Sequence, residues 1–172
     1  SVKEIIEAGE SVLVFTQFLQ TLEHTEKLLI NASIPVRVIH GGISASKRQK
    51  VIAEFTNSPD ACVLLMTLKT GGVGLNLTKA SYVFHVEPWW NPAVENQATD
   101  RAHRMGQTKA VQVFKYIMHE SLEEKIEILK DRKDQKFQSL FTDEEQATGA
   151  AAAHNSGPRS LSKDDFERLI EI

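Results

Sequence analysis

A chain of 172 residues suits a single domain, and 41% apolar residues are enough to build an ordinary buried core. A net charge of −3 is unlike that of a freestanding nucleic-acid binder, which carries a basic face of its own. One cysteine, Cys62, excludes an internal disulfide, and no apolar run approaches the roughly 18 residues that would span a bilayer. The opening segment SVKEIIEAGE lacks the charged-then-apolar layout of a secretion signal, so a cytoplasmic, nucleoid-associated setting is expected, or a nuclear one in a eukaryote.

In chain order, strand-like runs at Val12–Phe15, Val36–Ile39, Val63–Met66, Tyr82–Val86 and Val111–Ile117 alternate with helical stretches. The helices are predicted over Leu19–Asn31, Ser46–Phe55, Ala93–Met105 and Leu122–Phe137, the last opened by a Ser121/Glu124 capping box. Strand, crossover helix and strand in repetition predict an α/β fold, a parallel sheet with helices on both faces, followed by a C-terminal helical extension. Residues 1–141 are assigned to this lobe. The small, polar stretch over 142–161, DEEQATGAAAAHNSGPRS at its heart, cannot bury enough apolar area to fold and is expected to be a linker. Residues 162–172 then hold a short amphipathic helix, with Ser162 as its cap and Phe166, Leu169 and Ile170 as its apolar stripe.

In parallel sheets, ligand-facing loops lie at the carboxyl ends of the strands. Those ends carry Thr16-Gln17, His40-Gly41-Gly42, Thr67–Gly74 and Glu87–Trp90, which predicts one composite site. Gln97, Arg101 and Arg104 stand at i, i+4 and i+7, so a helix would present an amide and two guanidinium forks from one face, a layout suited to phosphate oxygens. The same spacing also fits a solvated helix in which Asp100 pairs with Arg104. The segment TLKTGGVGLNLTKA over 67–80 clusters glycines that let main-chain amides approach a phosphate or sugar, or simply make a turn.

With VLVFTQF, HGG and PWWNP, the order of these segments resembles one family, the second RecA-like lobe of Swi/Snf-type helicase-like ATPases, and leans to its prokaryotic branch. The likeness runs from about Val12 to about Lys136. It implies that Arg101 and Arg104 act as catalytic arginine fingers and that Gln97, Gly72, Gly74 and Asn76 lie near the nucleotide. It also implies that Gln17, His40, Gly41, Gly42, Thr67, Lys69 and Trp90 meet the backbone of double-stranded DNA. His40 satisfied within its own turn, and Lys47 and Arg48 as mere solvated charges, remain alternatives. Arg104 followed by Met105, Gly106 and Gln107 separates the chain from DEAD-box RNA helicases, whose corresponding helix ends differently.

The phosphate-cradling loop with its lysine, and an acidic pair at a strand end, are both missing. TGGVGLN has no Lys-Ser or Lys-Thr after it, and Asp164-Asp165 falls in the terminal helix. The resemblance therefore implies a first lobe, in the same longer chain or separate, that holds most of ATP and Mg2+, with this lobe inactive alone. It implies DNA-bound proteins as further partners and no membrane. The six histidines, His24, His40, His85, His103, His119 and His154, show no metal-ligand spacing, so no metal site is expected within the chain. The competing readings are a non-catalytic adaptor lobe and an RNA helicase lobe.

Overall fold

A computed structural model describes residues 1–71 and 75–130. Gly72, Gly74, the helix beyond residue 130, the 142–161 linker and the 162–172 helix lie outside the described residues. The chain divides into two compact units, Ser1–Trp89 with Val94–Tyr116, and Trp90–Ala93 with the residues from Ile117 onward.

In the first unit the elements run α1 (Val2–Glu7), β1 (Ser11–Thr16), α2 (Leu19–Asn31), β2 (Val36–Ile39), α3 (Ala45–Asn57), β3 (Val63–Thr67), a single turn α4 (Leu68–Gly71), and β4 (Ala80–His85). Helix α5 (Pro92–Thr99), whose first two residues fall in the second unit, and strand β5 (Gln112–Lys115) complete them. All pairings are parallel, and the strand order is β2-β3-β1-β4-β5. Parallel strands covered on both faces should read as unbroken apolar runs, and β1 is buried at every position, as is β3 from Val63 to Met66.

Alternation along the strands splits the core into two layers. Leu13, Phe15, Leu64, Met66 and Val83 face Phe55 of α3 and Ala98 of α5. Val12, Val14, Val63, Leu65 and Phe84 face Leu22 and Leu29 of α2, with Val2, Ile5 and Ile6 of α1 packed alongside. Helix α1 escapes the sequence reading because only three apolar positions, at i, i+3 and i+4, mark it. Strand β5 is shorter than the predicted 111–117 run and exposed throughout, an edge whose Phe114 stacks on Phe84 with ring centroids 4.8 Å apart.

Two side chains tie loops to the sheet. Glu10 accepts hydrogen bonds from the Ser81 hydroxyl (2.6 Å) and the Lys109 ammonium (2.5 Å). Its carboxyl is held below the ordinary glutamate range, first by the Lys109 bond and then by that from Ser81. Lys79 closes the C-terminal end of α3, donating to the carbonyls of Phe55 (2.9 Å), Ser58 (2.8 Å) and Asp60 (2.9 Å), with its Nζ 5.3 Å from the Phe55 ring centroid. Lys79→Met keeps the apolar stem and strips three carbonyls of their charged donor, so a denaturant titration should show a loss of about 1–2 kcal/mol.

In the second unit, residues 122–130 are helical. The Ser121 hydroxyl accepts from the amides of Glu123 (3.1 Å) and Glu124 (3.5 Å). The return arm of the predicted capping box goes elsewhere: the Glu124 carboxylate takes the Glu120 amide (2.8 Å), because Glu120 sits at φ 54° and turns its N–H toward the helix.

Candidate nucleotide and nucleic-acid site

Strands β1, β2 and β3 end side by side, and their carboxyl ends open into a cleft of about 290 Å³. Gln17, His40, Gly41, Gly42, Thr67 and Lys69 line it, so every DNA-facing candidate of the first unit converges there. Leu19 and Thr70 join them without having been singled out in the sequence. Trp90 belongs to the second unit.

Much of the cleft's polar surface is already engaged. The Gly42 amide donates to His40 Nδ1 (3.2 Å), which is the local arrangement left open by the sequence. A Cβ at Gly42 would lie 3.0 Å from the imidazole, so a larger residue there needs the His40 ring to give by a few tenths of an ångström. The Thr70 hydroxyl donates to the Thr67 carbonyl (2.7 Å), which leaves the Thr67 hydroxyl to donate to Thr70 Oγ1 (2.9 Å). Gln17 donates from its side-chain amide to the Pro88 carbonyl. Lys69 is exposed and brings positive charge to the rim.

The arginine segment departs from expectation. Helix α5 begins at Pro92, a residue preorganised for the first helical position, with Asn91 Oδ1 accepting from the Ala93 amide (3.0 Å). It stops at Thr99, not at Met105. Arg101 and Arg104 therefore stand on consecutive tight turns and not on one helical face. The cause is capture of the carbonyls that a longer helix would need: Leu77 N–H donates to Arg101 O (2.9 Å), and Gln107 Nε2 donates to Ala102 O (3.4 Å). Gln107 also donates to Thr78 O (3.0 Å) and Ala80 O (2.9 Å), stitching the turn to the start of β4, and Gly106 at φ 102° provides the reversal. Arg101 is half-buried beside the fully buried Ala102, whereas Arg104 is exposed.

The model for the helicase conserved C-terminal domain matches residues 1–106, from α1 through the arginine turn. The chain belongs to this helicase C-terminal family. An ATP-dependent helicase of Mycoplasma pneumoniae is 44% identical over 125 residues, 73% of this chain and 12% of the relative. The DNA repair protein RAD5 of Saccharomyces cerevisiae is 41% identical over 145 residues, 81% of this chain and 12% of that protein. A crystal structure of the C-terminal part of the Fun30 ATPase domain superposes with a TM-score of 0.70 at 36% identity, covering 73% of this chain and 40% of that one. The chain is a second RecA-like lobe of the Swi/Snf type and spans about an eighth of the length of such relatives.

Within this helicase lobe, several residues that hold the site together were not legible as such. The Glu95 carboxylate, 1% exposed on α5, accepts from the Trp89 amide (2.5 Å) and from Lys115 Nζ of β5 (2.7 Å). A glutamate one turn from Ala98, on the stripe that meets the sheet, is the signal that could have exposed it. Buried His85 of β4 shares a hydrogen bond with the Thr99 hydroxyl through Nε2 (3.1 Å) and stacks on Phe15. Glu87 accepts from the Thr16 hydroxyl (3.2 Å) and the Gln17 amide (3.0 Å).

Gln97 is exposed on α5, and Asn76 is exposed ahead of β4. Both tryptophans of PWWNP are half-buried, with Trp89 packed on the first core layer, although neighbours at a strand end would ordinarily point in opposite directions. The reason is that β4 ends at His85, so strand alternation no longer governs their directions. Among the described residues no helix is long and apolar enough to cross a membrane, and no cluster of three or more His, Cys, Asp or Glu could hold a metal ion.

Proposed function

We propose that this lobe is half of an ATP-driven motor that moves along double-stranded DNA and remodels protein–DNA complexes. The observation that carries the reading is the single cleft formed by Gln17, His40, Gly41, Gly42, Thr67 and Lys69 at three adjacent strand ends. Main-chain amides, an amide side chain and one lysine suit phosphodiester contacts that position a duplex without reading its sequence. The net charge of −3 then fits a grip that is weak alone and is completed by a partner lobe.

On this reading ATP lies against the first lobe, and Arg101 and Arg104 reach its γ-phosphate when the lobes close. Their guanidinium groups stabilise the charge that develops on the equatorial oxygens and cannot lose their protons at working pH. Gln97, Gly72, Gly74 and Asn76 approach the same nucleotide from this side, and Trp90 rests a ring against the duplex. Mg2+ would arrive with ATP, held mainly by the first lobe, and would supply charge neutralisation there. Closing and reopening of the lobes shifts the grip along the backbone. The setting follows from the substrate: a DNA-bearing compartment.

The test is ATP turnover by the protein carrying both lobes. Duplex DNA should stimulate it, RNA should not, and this lobe alone should hydrolyse nothing. Gln17→Ala combined with Lys69→Ala should raise the DNA concentration for half-maximal stimulation roughly tenfold at moderate salt, the loss of the Lys69 charge also flattening the salt dependence. Stimulation by RNA with strand separation would favour an RNA helicase lobe. No turnover in the two-lobe protein would favour an adaptor.

A further inference from the structure

We infer that Glu87 is a positioning residue that links engagement of the duplex in the cleft to the arginine turn, an inference that rests on the motor reading above. Three consecutive residues form the link. Glu87 takes the Thr16 hydroxyl (3.2 Å) on one carboxylate oxygen and the Gln17 amide (3.0 Å) on the other, so it clasps the end of β1 that enters the cleft. Pro88 accepts the Gln17 side-chain amide. Trp89 donates its amide to Glu95 Oε1 (2.5 Å), the buried carboxylate of α5. Helix α5 ends at Thr99, pinned by buried His85 (3.1 Å), and Arg101 follows two residues later.

The charge of Glu87 argues for an internal role. A carboxylate at an edge meant for a polyanion opposes binding unless another task holds it there. Both of its oxygens are committed, one to the Thr16 side chain that ends β1 and the other to the Gln17 backbone just beyond it. Gln17 is bound by the same short segment twice, through its amide and its side chain, so a phosphate that competes for the side-chain amide pulls on residues 87–88. Those residues continue directly into the contact that seats α5. The route is a chain of specific hydrogen bonds with a definable break at each end, so coupling through it is measurable by a double-mutant cycle.

The experiment uses the protein with both lobes and compares ATP turnover without DNA and at saturating duplex. Glu87→Gln keeps an acceptor for Thr16 but turns an NH2 group toward the Gln17 amide. Turnover without DNA and the melting temperature should stay at the wild-type level, the duplex concentration for half-saturation should hardly move, and maximal stimulation should fall about tenfold. Glu87→Asp keeps both acceptor oxygens and should recover at least roughly half of the stimulation. Adding Gln17→Ala to Glu87→Gln should cost no more stimulation than the worse single change, because both break one link. Full stimulation in Glu87→Gln, or strictly additive losses, would overturn the inference. So would an equal fall with and without DNA accompanied by a lower melting temperature, which marks a purely structural role. Arg101→Ala run alongside separates the two claims: if it retains turnover, the motor reading fails, whereas its loss beside a fully stimulated Glu87→Gln removes only the link.

Discussion

Replacing Arg101 by alanine in the two-lobe protein is expected to lower the duplex-stimulated kcat by roughly 10³-fold, the low end of what arginine fingers contribute in other phosphoryl-transfer systems. Its backbone is fixed on both sides: its N–H donates to the Ala98 carbonyl at 3.2 Å, and Leu77 N–H holds its carbonyl at 2.9 Å. A half-buried guanidinium on so constrained a turn spends little free energy on orientation when charge develops. Arg101→Lys should restore little, since an ammonium cannot reproduce the planar fork. KM for ATP should change little, because on the finger assignment the contact forms in the transition state. Arg104→Ala should also cripple turnover. Persistent turnover in Arg101→Ala would dismiss the finger assignment and bring the adaptor reading forward.

Glu95→Ala should be the most destabilising single change in the site's scaffold, by about 2–3 kcal/mol in a denaturant titration. The carboxylate is 1% exposed and serves two donors, the Trp89 amide and the Lys115 ammonium. Its removal strips both of a charged acceptor and opens a gap on α5 beside the sheet. The estimate sits at the low end for a broken buried pair because the Lys115 side chain is 33% exposed, so water can resolvate its ammonium. Glu95→Gln should cost less, since an amide oxygen can still accept from Trp89. A loss below about 0.5 kcal/mol for Glu95→Ala would class the pair with surface ion pairs and remove it from the scaffold.

The sheet was legible in the sequence because its strands are buried on both sides and spell their apolar runs outright, Val12–Phe15 and Val63–Met66 above all. Helix α2 was legible for the opposite reason, a clear one-faced period over Leu19–Asn31. Convergence of the cleft residues followed from the parallel topology, which sends the carboxyl ends of β1, β2 and β3 to one edge. What stayed hidden was decided by tertiary contacts. No local pattern says that the Leu77 N–H and the Gln107 side-chain amide will take the Arg101 and Ala102 carbonyls just beyond α5, or that the same amide will reach back 29 residues to Thr78. Gln107 read as a mark of family branch and proved to be the clasp of the arginine turn. The bonds of Glu87 and Glu95 left no local signal, because Thr16, Gln17 and Lys115, which engage them, lie far along the chain.

The strand order has a consequence for how the lobe is made. Strand β1 sits at the centre of the sheet, yet its neighbours are β3 and β4, which follow it by about 50 and 70 residues. At a synthesis rate of roughly 5–20 residues per second, the six-residue run Ser11–Thr16, buried at every position in the finished lobe, waits several seconds for its second flank. Until β3 emerges it is an unpaired apolar strand in search of a partner, and until β4 emerges one of its edges stays open. Slow folding through distant contacts, and a nascent chain that calls on chaperones before β4 emerges, are therefore built into the same topology that gathers the cleft.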